Sequence, residues 1–122
     1  MSFPSITFKA TNVHVEDSLH DLIEQKFQTL EKYIRNETDL GCEVEFEKIV
    51  SHHNGLIYRV EANLYAHGKL YRAEATKESF EIAIDEVKAE LDRELARSHE
   101  KRDTLLKRGG RKFKEMLRFG RS

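Results

Sequence analysis

The sequence predicts an α+β two-layer sandwich of order β-α-β-β-β-α, a four-stranded mixed sheet with both helices on one face. Three observations carry this. Four short segments alternate apolar and polar residues, the period of half-buried strands. Two longer stretches repeat apolar residues three or four apart, the period of amphipathic helices. Asn54-Gly55 and His67-Gly68 separate the last three alternating segments as tight turns.

Strand one runs from about Ser5 to Thr11, where Ile6, Phe8 and Ala10 alternate with Thr7 and Lys9. Val15, Leu19, Leu22, Ile23, Phe27, Leu30 and Ile34 mark helix one. Glu16 and Asp17 stand at its start, and Glu16 is a poor side-chain cap. Lys26 falls inside the apolar stripe, so its stem follows the core edge and its ammonium emerges at a seam. Asn36 to Gly41 is turn-rich.

Strand two carries Cys42, Val44 and Phe46 on one face. Strand three carries Tyr58, Val60, Ala62 and Leu64, and strand four Tyr71, Ala73 and Ala75. A two-residue turn at His67-Gly68 pairs Leu64 with Tyr71, Ala62 with Ala73 and Val60 with Ala75, all on one face. A two-residue turn at Asn54-Gly55 pairs Ile49 with Val60 but Phe46 with Asn63. A β-bulge near Glu47-Lys48 is therefore expected, restoring Phe46 to Ala62 and Val44 to Leu64. A right-handed crossover makes strand one parallel to strand two.

Helix two runs from Phe80 to about Arg102. Ser79 is its N-cap, and Glu81 suits the positive end of the helix dipole. Phe80, Ala83, Ile84, Val87, Leu91 and Leu95 form its apolar stripe. Past Leu95 the slots fall to Ser98, His99 and Arg102, so the helix outruns the body. Arg93, Arg97 and Lys101, four apart, form a positive rail on another face. Such a rail is either a solvated face, with Glu90 and Glu94 placed to pair with Arg93 and Arg97, or a surface for an anionic partner. Lys26 and Lys88 are both placed to look into the groove between the helices.

A chain of 122 residues suits one α+β domain, residues 1–100, followed by a basic tail, 101–122, flexible or partly helical. Gly109-Gly110 is expected to break any helix there. Residues 1–98 hold 12 Lys/Arg against 19 Asp/Glu, a net −7, and residues 99–122 hold 9 against 3, a net +6. Basic arms of this kind meet nucleic acid or act as solubilising tails. In the tail, Arg111, Lys112, Lys114, Arg118 and Arg121 interleave with Phe113 and Phe119, a pattern that suits phosphates and bases or a frayed end. No apolar run approaches the roughly 20 residues of a membrane span, and Met1 to Ala10 lacks the features of a signal peptide. The lone Cys42 excludes an internal disulfide and suits a small core position in a reducing, cytoplasmic protein.

On the outer sheet face Glu47, Glu61 and Glu74 are expected to line up, with Glu43 and Glu45 beside them. That face is too acidic for phosphates, which excludes the sheet-platform mode of RNA recognition. Its only apolar surface is Tyr65 with Leu70 opposite. The six histidines lack ligand spacing, and His52-His53 occupy a hairpin tip. No glycine-rich phosphate loop or nucleophile–base pair is present. The expectation is a non-enzymatic protein without cofactor, metal or small-molecule substrate.

Four stretches, NVHVEDSL (12–19), KFQTLEKY (26–33), SFEIAIDEV (79–87) and LDREL (91–95), together with the element order, carry a family likeness over residues 6 to about 100. On them the chain resembles the bacterial ribosome hibernation-promoting factor and ribosome-associated inhibitor family, in its short form. The resemblance implies a fold related to double-stranded RNA-binding domains. It implies binding to the small ribosomal subunit and its rRNA near the decoding region, silencing translation in idle or stressed cells. The family's ribosome-facing basic residues fall on Lys26, Lys32, Arg93 and Arg97. Thr29 and Glu90 stand where relatives carry lysine, and Lys88, Lys101, Arg102 and the tail are placed to compensate. Two other readings remain: a double-stranded RNA binder not specific to ribosomes, and a protein–protein adaptor using a strand edge or the Tyr65–Leu70 patch.

Overall fold

The structure is a computed structural model. It describes residues 3–35, 37–50 and 56–118, with side chains as far as Arg102. The order is β1 (Ile6–Thr11), α1 (Asp17–Phe27), a 3₁₀ segment (Gln28–Tyr33), β2 (Gly41–Lys48), β3 (Tyr58–Ala66), β4 (Lys69–Lys77) and α2 (Phe80–Arg118). The sheet order is β1-β2-β3-β4, with β1 parallel to β2 and the other neighbours antiparallel. This is the predicted mixed sheet.

The core is the single layer between the sheet and the helices. Ile23, Phe27 and Leu30 from the first helical unit and Ala83, Ile84, Val87 and Leu91 from α2 are fully buried, against Val44, Phe46, Val60, Ala62 and Leu64. Phe80 sets its ring edge-on to Phe46 at 5.2 Å and to Tyr58 at 5.0 Å. Cys42 is buried among them, and burial, with Glu43 adding, pushes its thiol up to about 12. It is a small core residue, as the alternation implies.

The β3–β4 hairpin has the predicted pairs Leu64–Tyr71, Ala62–Ala73 and Val60–Ala75. Its turn residues His67 (φ 56°) and Gly68 (φ 70°) are both left-handed, the mirror-type turn that matches strand twist. The β2–β3 register differs from expectation. Phe46 faces Val60, Val44 faces Ala62 and Glu47 faces Arg59, in an unbroken ladder from Gly41–Tyr65 to Lys48–Tyr58. There is no bulge at Glu47-Lys48. The ladder continues at least to Ile49, whose amide donates to the Ile57 carbonyl at 2.8 Å. The Asn54-Gly55 turn and His52-His53 lie outside the described residues. The bulge follows only from assuming a two-residue turn. A two-residue slip keeps every side chain on its face, so alternation cannot detect it.

Helix one also differs. α1 ends at Phe27, and a 3₁₀ segment carries the chain to Tyr33. Thr29 contributes: its hydroxyl donates to the Lys26 carbonyl at 2.9 Å, competing with the regular ladder. Glu16 makes no side-chain cap bond. In α2, Ser79 caps as expected, accepting from the Ile82 amide at 3.2 Å. The helix does not stop near Arg102 or break at Gly109-Gly110; it reaches Arg118. Each glycine costs a helix only about 1 kcal/mol, and the flanking Leu, Lys, Arg and Met are good helix formers. At 1.5 Å per residue its 39 residues span about 58 Å.

Candidate nucleic-acid interface

The 3₁₀ segment ends on Tyr33, whose hydroxyl donates to Asp92 Oδ1 at 2.7 Å, pinning the segment to the first third of α2. The other oxygen of Asp92 accepts from Lys88 at 3.4 Å. The Tyr33 bond holds Asp92 below the usual carboxylate range against some burial, with Lys88 and Lys32 assisting. The same bond, with burial, raises the Tyr33 phenol. Lys32 lies 5.1 Å from the centre of the Tyr33 ring. Beside this pair an open groove of about 430 Å³ is lined by Tyr33, Ala89, Asp92, Arg93 and Ala96. Two alanines on α2 leave the space.

The seven sequence-predicted cations divide into two sets. Lys26 reaches across to Asp85 of α2 at 2.7 Å, Lys88 pairs with Asp92, and Arg97 pairs with Glu94 at 2.9 Å. These three have their charge opposed locally. Lys32, Arg93, Lys101 and Arg102 form no salt bridge among the described residues. Of the two helical pairs considered from spacing, Glu94–Arg97 forms and Glu90–Arg93 does not. Lys26 and Lys88 both sit at the seam between the helices, each on a carboxylate of α2.

Sequence reasoning passed over Lys69, directly after the His67-Gly68 turn. Its ammonium contacts Ser98 Oγ of α2 at 3.5 Å and lies 5.0 Å from the Tyr71 ring centre. Together with Lys101 and Arg102 it lines a second cavity, of about 200 Å³. Its signal was the tight turn itself, which carries the start of β4 to α2.

The outer sheet face is acidic, but its order differs from expectation. Glu45, Glu61 and Glu74 are the aligned carboxylates, and Glu47 faces Arg59 instead. Glu61, expected as an exposed sheet-face residue, is only 7% exposed. Arg59 gathers the acids: Glu61 at 2.7 Å, Glu74 at 3.0 Å, Glu47 at 3.2 Å and Glu45 at 3.8 Å. Arg72 also binds Glu61. Burial pushes the Glu61 carboxyl up, but the hydrogen bond and charge of Arg59, with Arg72, outweigh it and hold the group low. Five glutamates against Lys9, Arg59 and Arg72 leave this face at −2 (3 − 5). Tyr65 and Leu70 pair there, 41% and 54% exposed.

Two histidines act in packing. His20 stacks on Phe8 at 4.1 Å, and His99 sets its edge to Tyr33 at 6.2 Å. Among the described residues no group of three His, Cys, Asp or Glu could hold a metal ion. Among them, too, no helix is long and apolar enough to cross a membrane.

A family profile described as "Sigma 54 modulation protein / S30EA ribosomal protein" matches residues 6–103. Among solved structures the chain is similar to the Protein Y N-terminal domain of Thermus thermophilus, at 23% identity and TM-score 0.63, covering 77% of this chain and 98% of that one. It is also similar to a ribosomal subunit interface protein of Coxiella burnetii, at 20% identity and TM-score 0.59, covering 76% and 94%. These two likenesses show a shared fold. A comparison with curated proteins gives no match.

Proposed function

Because the chain belongs to the sigma 54 modulation protein / S30EA ribosomal protein family, we propose that it is a ribosome-associated hibernation factor. It binds the small subunit near the decoding region through the cationic side of its helical layer and inhibits translation in idle or stressed cells. The two structural relatives, one of them named for the ribosomal subunit interface, support the same reading.

The observation that carries it is the sorting of charge along α2. From Phe80 to Asp92 the helix holds one lysine against five acids; from Arg93 to Arg118 it holds ten Lys/Arg against four Asp/Glu. Arg93, Lys101 and Arg102, which form no salt bridge among the described residues, lie in the second part, with Lys32 close by on the 3₁₀ segment. Unopposed cations are the groups that displace counter-ions from a phosphate backbone. The helical layer is not basic as a whole; what sets it apart from the sheet, where Arg59 and Arg72 are held by glutamates, is this set of cations without salt-bridge partners among the described residues. The contact is electrostatic and needs no catalytic group.

Sedimentation on a density gradient with purified small subunits tests this. The protein is expected to travel with the subunit at low salt and to be released as salt rises. Excess naked RNA duplex should compete poorly. Protein that stays at the top of the gradient at low salt sinks the proposal.

A further inference from the structure

We infer that the cleft between the β3–β4 turn and α2 is a phosphate-binding site, with Lys69, Lys101 and Arg102 as its cationic groups and Tyr71 and Ser98 as its floor. Where RNA supplies the phosphate, the inference extends the proposed ribosomal surface and rests on that reading. A free phosphorylated small molecule is the other source of the same chemistry.

Charge is the first argument. The cleft is lined by His67, Lys69, Tyr71, Ser98, Lys101 and Arg102, without a carboxylate among the described residues. None of the three Lys/Arg side chains has a salt bridge among the described residues, whereas Lys26, Arg59, Lys88 and Arg97 all do. Glu37, beside the cleft, is already engaged: it binds His67 Nδ1, while His67 Nε2 lies 3.1 Å from the Tyr33 carbonyl. Three like charges around one opening repel each other, a cost that an anion between them removes.

Geometry is the second. The volume is about 200 Å³, room for a tetrahedral oxyanion and a few waters at about 30 Å³ each. Tyr71 is buried (3% exposed), so the floor is fixed. The Ser98 hydroxyl accepts from Lys69 and keeps its own proton to donate. Lys69 offers two further donors, and Arg102 a planar fork suited to phosphate. The His67 contacts tie the turn to the end of the 3₁₀ segment, so Lys69 is held under α2 by the fold.

The test is a pyrophosphate titration of the full chain at constant ionic strength, followed by amide chemical shifts. Saturable shifts are expected at Lys69, Ser98, Lys101 and Arg102. Lys69→Gln with Lys101→Gln should weaken binding at least tenfold while leaving the thermal midpoint in place. Drift that never saturates, or equal affinity in the double variant, overturns the inference. The salt dependence of ribosome sedimentation then identifies the source. A slope reduced by about 1.4–1.8 in the double variant assigns the phosphate to RNA, at about 0.7–0.9 per lost contact. An unchanged slope beside saturable pyrophosphate binding assigns it to a small molecule. A wild type that saturates with pyrophosphate yet never sediments with subunits sinks the ribosomal reading and leaves the cleft standing.

Discussion

Arg59 is the residue on which the outer sheet face depends. Its guanidinium meets four carboxylates, and its side chain is 17% exposed. Without it, Glu45, Glu61 and Glu74 stand side by side across three strands with Arg72 and Lys9 as their remaining cations. Removing one partner of a part-buried charge network costs more than the network contributes net, because the remaining charges stay desolvated. Arg59→Ala is expected to lower unfolding stability at pH 7 by roughly 2–3 kcal/mol, read by urea denaturation. The pH dependence has a definite sign. Glu61 titrates below its ordinary value in the fold, held there by Arg59 and Arg72 against burial. Its contribution is present above the unfolded value and is lost as pH falls through the folded one, below about pH 4. The gap between wild type and Arg59→Ala should therefore narrow from pH 7 to pH 3. A constant gap would count against the network. Sequence patterning placed Arg59 and the glutamates outward, but not on one another. Which carboxylates an arginine meets is set by register, to which alternation is blind by two residues.

Elements differ in how much of their definition is local. Ser79 was legible as a cap because the capping bond lies within one turn: its oxygen accepts from Ile82 three residues on. Ser79→Ala is expected to lower stability by about 1 kcal/mol, and Ser79→Asp to retain most of it, as measured by thermal melts. An equal loss in both variants would remove the cap from the account. The His67-Gly68 hairpin was legible for the same reason, since a two-residue turn fixes its own register. The β2–β3 register was not, because alternation leaves a two-residue slip undetected and keeps every side chain on its face. The observed pairing also sets Glu47 opposite Arg59, where the expected one set it opposite Glu61; opposite charges across a ladder are the more stable choice. The change to 3₁₀ after Phe27 and the passage of α2 through two glycines each turn on about a kilocalorie, smaller than apolar periodicity can resolve.

On the scale of the whole molecule, the two layers differ in how their cations are partnered: Arg59 and Arg72 of the sheet are held by glutamates, while Lys32, Arg93, Lys101 and Arg102 of the helical layer have no salt bridge among the described residues. The core is one layer, with the −2 sheet face on one side of it and the helical layer, with its unopposed cations, on the other. Arg93, Lys101 and Arg102 were legible because they follow helical spacing. Their freedom from partners was not, since Asp85, Asp92 and Glu94 select Lys26, Lys88 and Arg97 by geometry alone. That selection decides which substitution is informative. Lys26→Glu would set two carboxylates together at Asp85, mixing stability with binding. Glu61→Lys would place a cation against Arg59 and Arg72. Arg93→Glu disturbs no salt bridge among the described residues, and Glu43→Lys changes an exposed carboxylate on the outer sheet face. In a subunit-binding titration across a salt series, Arg93→Glu should flatten log K against log salt by about 0.7–0.9 and weaken binding about tenfold at moderate salt. Glu43→Lys should leave the slope unchanged, because the sheet points away from the partner. If both variants shift the slope equally, binding follows net charge and the helical layer is not the contact surface. If only Glu43→Lys shifts it, the sheet faces the ribosome and the assignment of faces is reversed.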